Sequence, residues 1–124
     1  MIDTITDVTF EFYIGNTYSR DFTLSGWSLF VDKVYFTVKE KETDKRAVLQ
    51  KTLGNGITLV SEEDGVKTFN LLIDSTDTDD MKTDFEYPFD IEIHSTGADG
   101  KTIKKTLVVG TLNLLTNSTR TYNE

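Results

Sequence analysis

The chain contains no cysteine, one proline and one histidine among its 124 residues. Without cysteine, neither a disulfide framework nor a thiolate zinc site can form, so a folded domain has to rest on packing alone. No apolar run approaches the roughly 20 residues that a membrane-spanning helix requires. Basic residues are also scarce, 13 against 21 acidic ones, giving a formal net charge of −8. A field of that sign repels phosphate backbones and anionic bilayers, which argues against nucleic acid and membrane as partners. The first ten residues, MIDTITDVTF, lack the basic and apolar regions of a secretory signal.

What is present is apolar and aromatic bulk arranged with period two. Hydrophobic residues make up 37% and include eight Phe and five Tyr, enough to fill one core. The run from Lys33 to Lys39 shows the pattern best: Val34, Phe36 and Val38 point one way, Tyr35, Thr37 and Lys39 the other. That is the mark of a strand with one buried face. Similar runs cover residues 6–13, 18–24, 33–40, 47–53, 57–61, 66–73, 85–94 and 102–115, separated by turn residues. Asp64-Gly65 reads as a tight hairpin turn, and Gly110 predicts a bulge or bend in the last strand. Residues 25–32 predict a crossing between sheets. Ser75 or Thr76 predicts the cap of a single helical turn within residues 74–82. Together these features predict one all-β domain over residues 1–116, an antiparallel β-sandwich of about seven to eight strands, with a closed barrel as the competing architecture. Residues 117–124 read as a flexible tail.

Candidate sites are few. Asp74, Asp77, Asp79 and Asp80 cluster as calcium ligands do, but the spacing lacks the glycine and terminal glutamate of an EF-hand loop, so no specific metal is expected. His94 lies on the outward face beside Glu92 and Asp90, and a lone histidine supplies neither a ligand set nor a catalytic constellation. Tyr13, Tyr18, Trp27 and Tyr35 are the candidate interaction surface, an aromatic platform for a partner protein or a sugar. Against that stands the reading that Trp27 and Phe30 plug one end of the sandwich. Asn117-Ser118-Thr119 fits a glycosylation acceptor that has no consequence without secretion. No catalytic residue, cofactor site or metal site is assigned.

Two segments resemble the immunoglobulin-like domains of phage tail and baseplate proteins, in particular the N-terminal domain of phage baseplate upper proteins. In residues 15–53 the matches are Gly15, Thr17, Phe22, Leu24, Val34, Phe36, Val38, Lys39, Val48, Lys51 and Thr52, carrying the "V-x-F-x-V-K" and "V-x-x-K-T" patterns. In residues 87–114 they are Tyr87, Asp90, Ile91, Ile93, Asp99, Gly100, Lys101, Thr106, Leu107, Gly110, Leu112 and Leu114. The chain departs from the family at Ser28-Leu29-Phe30-Val31-Asp32 and at Lys82-Thr83-Asp84-Phe85, where family members carry "D-L-T-G" and Pro-Gly turns. The resemblance implies an immunoglobulin-like fold and a non-enzymatic virion structural protein. Such a protein is made in the bacterial host cytoplasm and resides in the tail. Its partners are other tail or baseplate proteins, with a homo-oligomer in the assembled particle as a possible form. A carbohydrate-binding or cell-surface adhesion module is the alternative function.

Overall fold

The computed structural model describes residues 4–116, and these form eight strands and no helix. In chain order they are β1 (Ile5–Tyr13), β2 (Tyr18–Ser25), β3 (Val31–Val38), β4 (Leu49–Leu53), β5 (Gly56–Glu63), β6 (Val66–Ile73), β7 (Glu86–Thr96) and β8 (Thr102–Leu115). Hydrogen bonding joins them in the order β1-β8-β7-β3-β4-β5-β6-β2. The β1–β8 and β4–β5 ladders are parallel and the rest antiparallel. The β4–β5 ladder is only a corner, made by Thr52 against Gly56 and Leu53 against Ile57. It links a sheet of β1, β8, β7, β3 and β4 to a sheet of β5, β6 and β2. Each of the connections β1–β2, β2–β3, β4–β5 and β6–β7 crosses between these sheets. The two faces close on one core, and the hydrogen-bonded circuit stays open between β1 and β2.

Alternation delivers that core. Val34, Phe36, Val38, Phe69, Leu71, Ile91, Ile93, Leu112 and Leu114 are all buried, and Phe10 and Phe12 join them from β1. Immunoglobulin domains mark the middle of their core with an inter-sheet disulfide, an aromatic packed on it, and a tyrosine whose hydroxyl bonds to backbone just upstream. Here Tyr87 is the second residue of β7 and its hydroxyl accepts a 2.7 Å hydrogen bond from the Lys82 N–H. Two residues on, where antibody domains carry a cysteine, stands Phe89. Its ring lies 4.5 Å from Phe10 and 5.3 Å from Phe36, centroid to centroid. Those three rings belong to one sheet, and the aromatic contact across to the other is made by Tyr18 of β2, 5.6 Å from Phe10 and 4.4 Å from Phe12. The fold is an immunoglobulin-like β-sandwich.

Three local expectations are corrected. The bulge in β8 falls at Leu107, not Gly110: Ile91 faces Val108 while Glu92 faces Thr106, leaving Leu107 as the extra residue. That bulge brings Leu107 and Val108 together toward the apolar interior. Gly110 is paired in register with Phe89 and Val8, because a side chain there would strike the Val8 carbonyl and come within 2.9 Å of the Phe89 ring. Residues 74–82 form linked turns and no helix, with N–H to C=O bonds from Asp77 to Asp74, Asp79 to Thr76 and Met81 to Thr78. Phe30 plugs nothing, being 78% exposed. The tail 117–124 and its Asn117-Ser118-Thr119 motif lie outside the described residues. Asp64-Gly65 does form the hairpin turn, with φ of 52° and 76°, the paired positive values of a type I′ turn.

Two substitutions test this account. Phe36→Ala should cost about 3–5 kcal/mol, the range for emptying an aromatic core site. An unmoved denaturant midpoint would show that the ring does not pack there. Gly110→Ala should cost about 3 kcal/mol, the upper part of the overpacking range, because backbone rather than a flexible side chain must give way. Hydrogen exchange should then show β1 amides opening before those of β7.

Candidate functional site

The acidic connection between β6 and β7 is a brace. Asp77 turns its carboxylate back to accept the Asp74 N–H at 2.7 Å and meets Lys51 Nζ at 2.7 Å. Lys51 reaches it from β4 with its stem laid over Gly56, where any Cβ would collide with it. Thr78, fully buried, accepts the Gly15 N–H at 2.9 Å, and Met81 packs into the core. Of the acids, Asp77 is thus spent, with Thr78 beside it, on holding three crossings together. Among the described residues, no three His, Cys, Asp or Glu side chains converge as a metal would require.

His94, Glu92 and Asp90 stand in a column on the outward face of β7. His94 Nε2 is 2.6 Å from Glu92 Oε1, and the imidazole is tilted against Tyr35 at 5.0 Å. This column floors a polar cleft of about 420 Å3, walled by Tyr35, Gln50 and the β3–β4 loop through Lys45 and Ala47. Burial lifts the Asp90 carboxyl above its ordinary value of 3.8, Glu92 adds to the shift, and Lys39 opposes it. Among the described residues, the hydrogen-bond partner of the His94 ring is Glu92, and no hydroxyl is bonded to it.

The four aromatics of the candidate surface lie apart. Tyr13, 49% exposed, ends β1. Tyr18 stacks on Phe12 at 4.4 Å and belongs to the core margin. Trp27 lies in the β2–β3 crossing at the other end, half-buried, its Nε1–H donating to the buried Ser95 Oγ at 3.0 Å. Tyr35 sits in the polar cleft.

The larger opening is one that strand patterns did not single out. A cleft of about 500 Å3 runs between β1 and β2, the two strands that end the hydrogen-bonded order. Ile5, Val8 and Phe10 wall one side, and Arg20, Phe22 and Leu24 the other, over a floor of Leu71, Ile91, Leu107 and Val108. Each wall is a strand bonded to a neighbour on its far side only, β8 for β1 and β6 for β2. The cleft therefore offers apolar side chains together with unpaired backbone donors and acceptors.

No family model and no curated protein sequence matches the chain. Among solved structures, it is similar to the NK cell receptor NKp44, described as a triggering partner in natural cytotoxicity. That match has 13% identity and a TM-score of 0.47, over 87% of this chain and 97% of the receptor chain. It is also similar to MtrC from Shewanella baltica OS185, with 13% identity and a TM-score of 0.44, over 90% of this chain and 22% of MtrC. Likenesses this distant carry no argument about activity or partners.

Asp90 gives a pH-dependent test. A carboxyl whose pKa is raised by folding adds stability below its unfolded value and loses that contribution as pH rises through the folded one. Asp90→Asn, which stays neutral, should therefore melt higher than the parent at neutral pH. The gap should close below about pH 3.8. A variant less stable than the parent at pH 7 would show that the carboxylate is held by favourable contacts instead.

Proposed function

We propose that the chain is a non-enzymatic assembly module that acts by protein–protein association. The observation that carries this reading is the open side of the sandwich, where two unpaired strand edges flank an apolar cleft. Such edges take up an added strand from a partner, backbone bonds giving affinity and pockets for alternate side chains giving selectivity. The setting we infer, a bacteriophage or prophage tail or baseplate, follows from the sequence resemblance in residues 15–53 and 87–114. In such a particle the symmetry comes from the assembly, and copies of one domain meet equivalent partners around a ring.

A second reading, a carbohydrate-binding or adhesion module, has its own support in the polar cleft at Tyr35, where an aromatic ring, an amide and carboxylates converge. The two are separable by experiment. Co-expression with proteins encoded by adjacent genes, followed by light scattering, should give a stable complex with a tail or baseplate protein. Lysines at Thr23 and Ser25 on the exposed side of β2 should weaken it about tenfold or more, as charge on a strand edge does. Saturable binding on a glycan array, with no protein partner found, would replace the first reading by the second.

A further inference from the structure

We propose that the β1–β2 cleft receives an extended segment of a partner protein carrying an acidic side chain, and that Arg20 is its receptor. The inference rests on the association reading above and names the chemistry of the occupant.

Along β2, the side chains of Tyr18, Arg20, Phe22 and Leu24 share the inward direction, since strand residues two apart share a face. The last two pack on the core, and Arg20 turns over the Phe10 ring at 4.9 Å from its centroid. Its Nη1 donates to the Tyr18 hydroxyl at 3.3 Å. No carboxylate pairs with it among the described residues. The acid beside it in sequence, Asp21, points to the opposite face and accepts a hydrogen bond from the Asn70 side chain at 2.8 Å. A guanidinium thus lies over an aromatic ring at the mouth of an apolar cleft, with no carboxylate partner among the described residues, in a chain of formal net charge −8. Guanidinium groups bind carboxylates through a fixed donor fork, and a site with apolar walls strengthens that pairing.

The register of a sheet fixes the rest. In an added strand, side chains directly opposite Arg20, Phe22 and Leu24 would all enter the cleft, because opposite residues lie on the same face. The occupant therefore has one acidic and two apolar residues at alternate positions. The acid comes first if the strand runs parallel to β2 and last if it runs antiparallel. Residues between them face outward and are free to be polar.

Two blocked nonapeptides cover both directions, Ac-KTETVTVTK-amide and Ac-KTVTVTETK-amide, each with a twin in which glutamine replaces glutamate. Titrated into the isotopically labelled chain, one glutamate peptide should saturably shift the amides of Ile5–Phe10 and Arg20–Ser25. Its twin should bind about fivefold more weakly, the span of a partly exposed charge-assisted pair. Arg20→Gln, a change at an exposed position, should keep binding of the twin and erase the difference between the two. Equal binding of glutamate and glutamine peptides at the cleft would overturn the Arg20 assignment and leave strand addition standing. No shift with any of the four peptides would overturn both. If dilution alone moves the same amides and light scattering shows a dimer, the occupant is a second copy and the proposal falls. If dodecanoate saturates the cleft more tightly than any peptide, the occupant is a small amphiphile and the proposal falls equally.

Discussion

The contact on which the rest of the sandwich depends is the packing of Phe10, Phe36 and Phe89. Each ring comes from a different strand, and Phe10 stacks on Phe89 at 4.5 Å and on Phe36 at 6.0 Å. In a cysteine-free chain no covalent tie holds the two sheets together, and it is Phe10 that carries the cluster across, meeting Tyr18 of β2 at 5.6 Å. Offset aromatic pairs contribute about 0.5–1.5 kcal/mol each beyond the area they bury. Gly110 completes the arrangement, because its missing side chain lets Phe89 and the β1 backbone approach β8 from two directions. Once β1 is drawn in, Phe12 finds Tyr18 and the first crossing is set. The other end of the cluster leads through Tyr87 and Lys82 to the acidic brace.

Much of this was legible in the alternation. β7, and β3 from Val34 onward, show a clean period of two, and the limits of β6 and β8 coincide with the runs read from sequence. The paired positive φ of Asp64 and Gly65 follows from residue types alone. Periodicity could not say why Gly110 interrupts its strand. A glycine that bends a chain and one that admits a neighbour look the same in one dimension. The missing helical turn has a similar cause. Ser75 and Thr76 read as caps, but it is Asp77 that turns back to the Asp74 N–H, held there by Lys51, 26 positions earlier by numbering. No local pattern reveals such a partner.

The cleft was the least legible part. β2 reads as an ordinary strand, and Arg20 as one of its polar positions. That Arg20 turns inward over Phe10 depends on β1 lying across from it, and β1 takes that place only by pairing with β8 some hundred residues away. The aromatic candidates show how topology redistributes such residues. Tyr18 and Trp27 looked available, yet one is part of the core margin and the other is tied to Ser95. Residue type signals stickiness, and topology decides where it is spent.

The parallel pairing of β1 with β8 also has a mechanical side. Ile5 lies beside Val108 and Tyr13 beside Leu115, so the start of β1 and the end of β8 sit at opposite ends of one ladder. Tension applied between those two points runs along the strands and slides them past each other. Every hydrogen bond in the ladder then bears load at once, whereas a hairpin pulled from its open end parts one bond at a time. The Val8 carbonyl, seated where Gly110 carries no side chain, would also have to leave that slot. A domain wired this way resists stretching along its length better than one whose end strands unzip bond by bond.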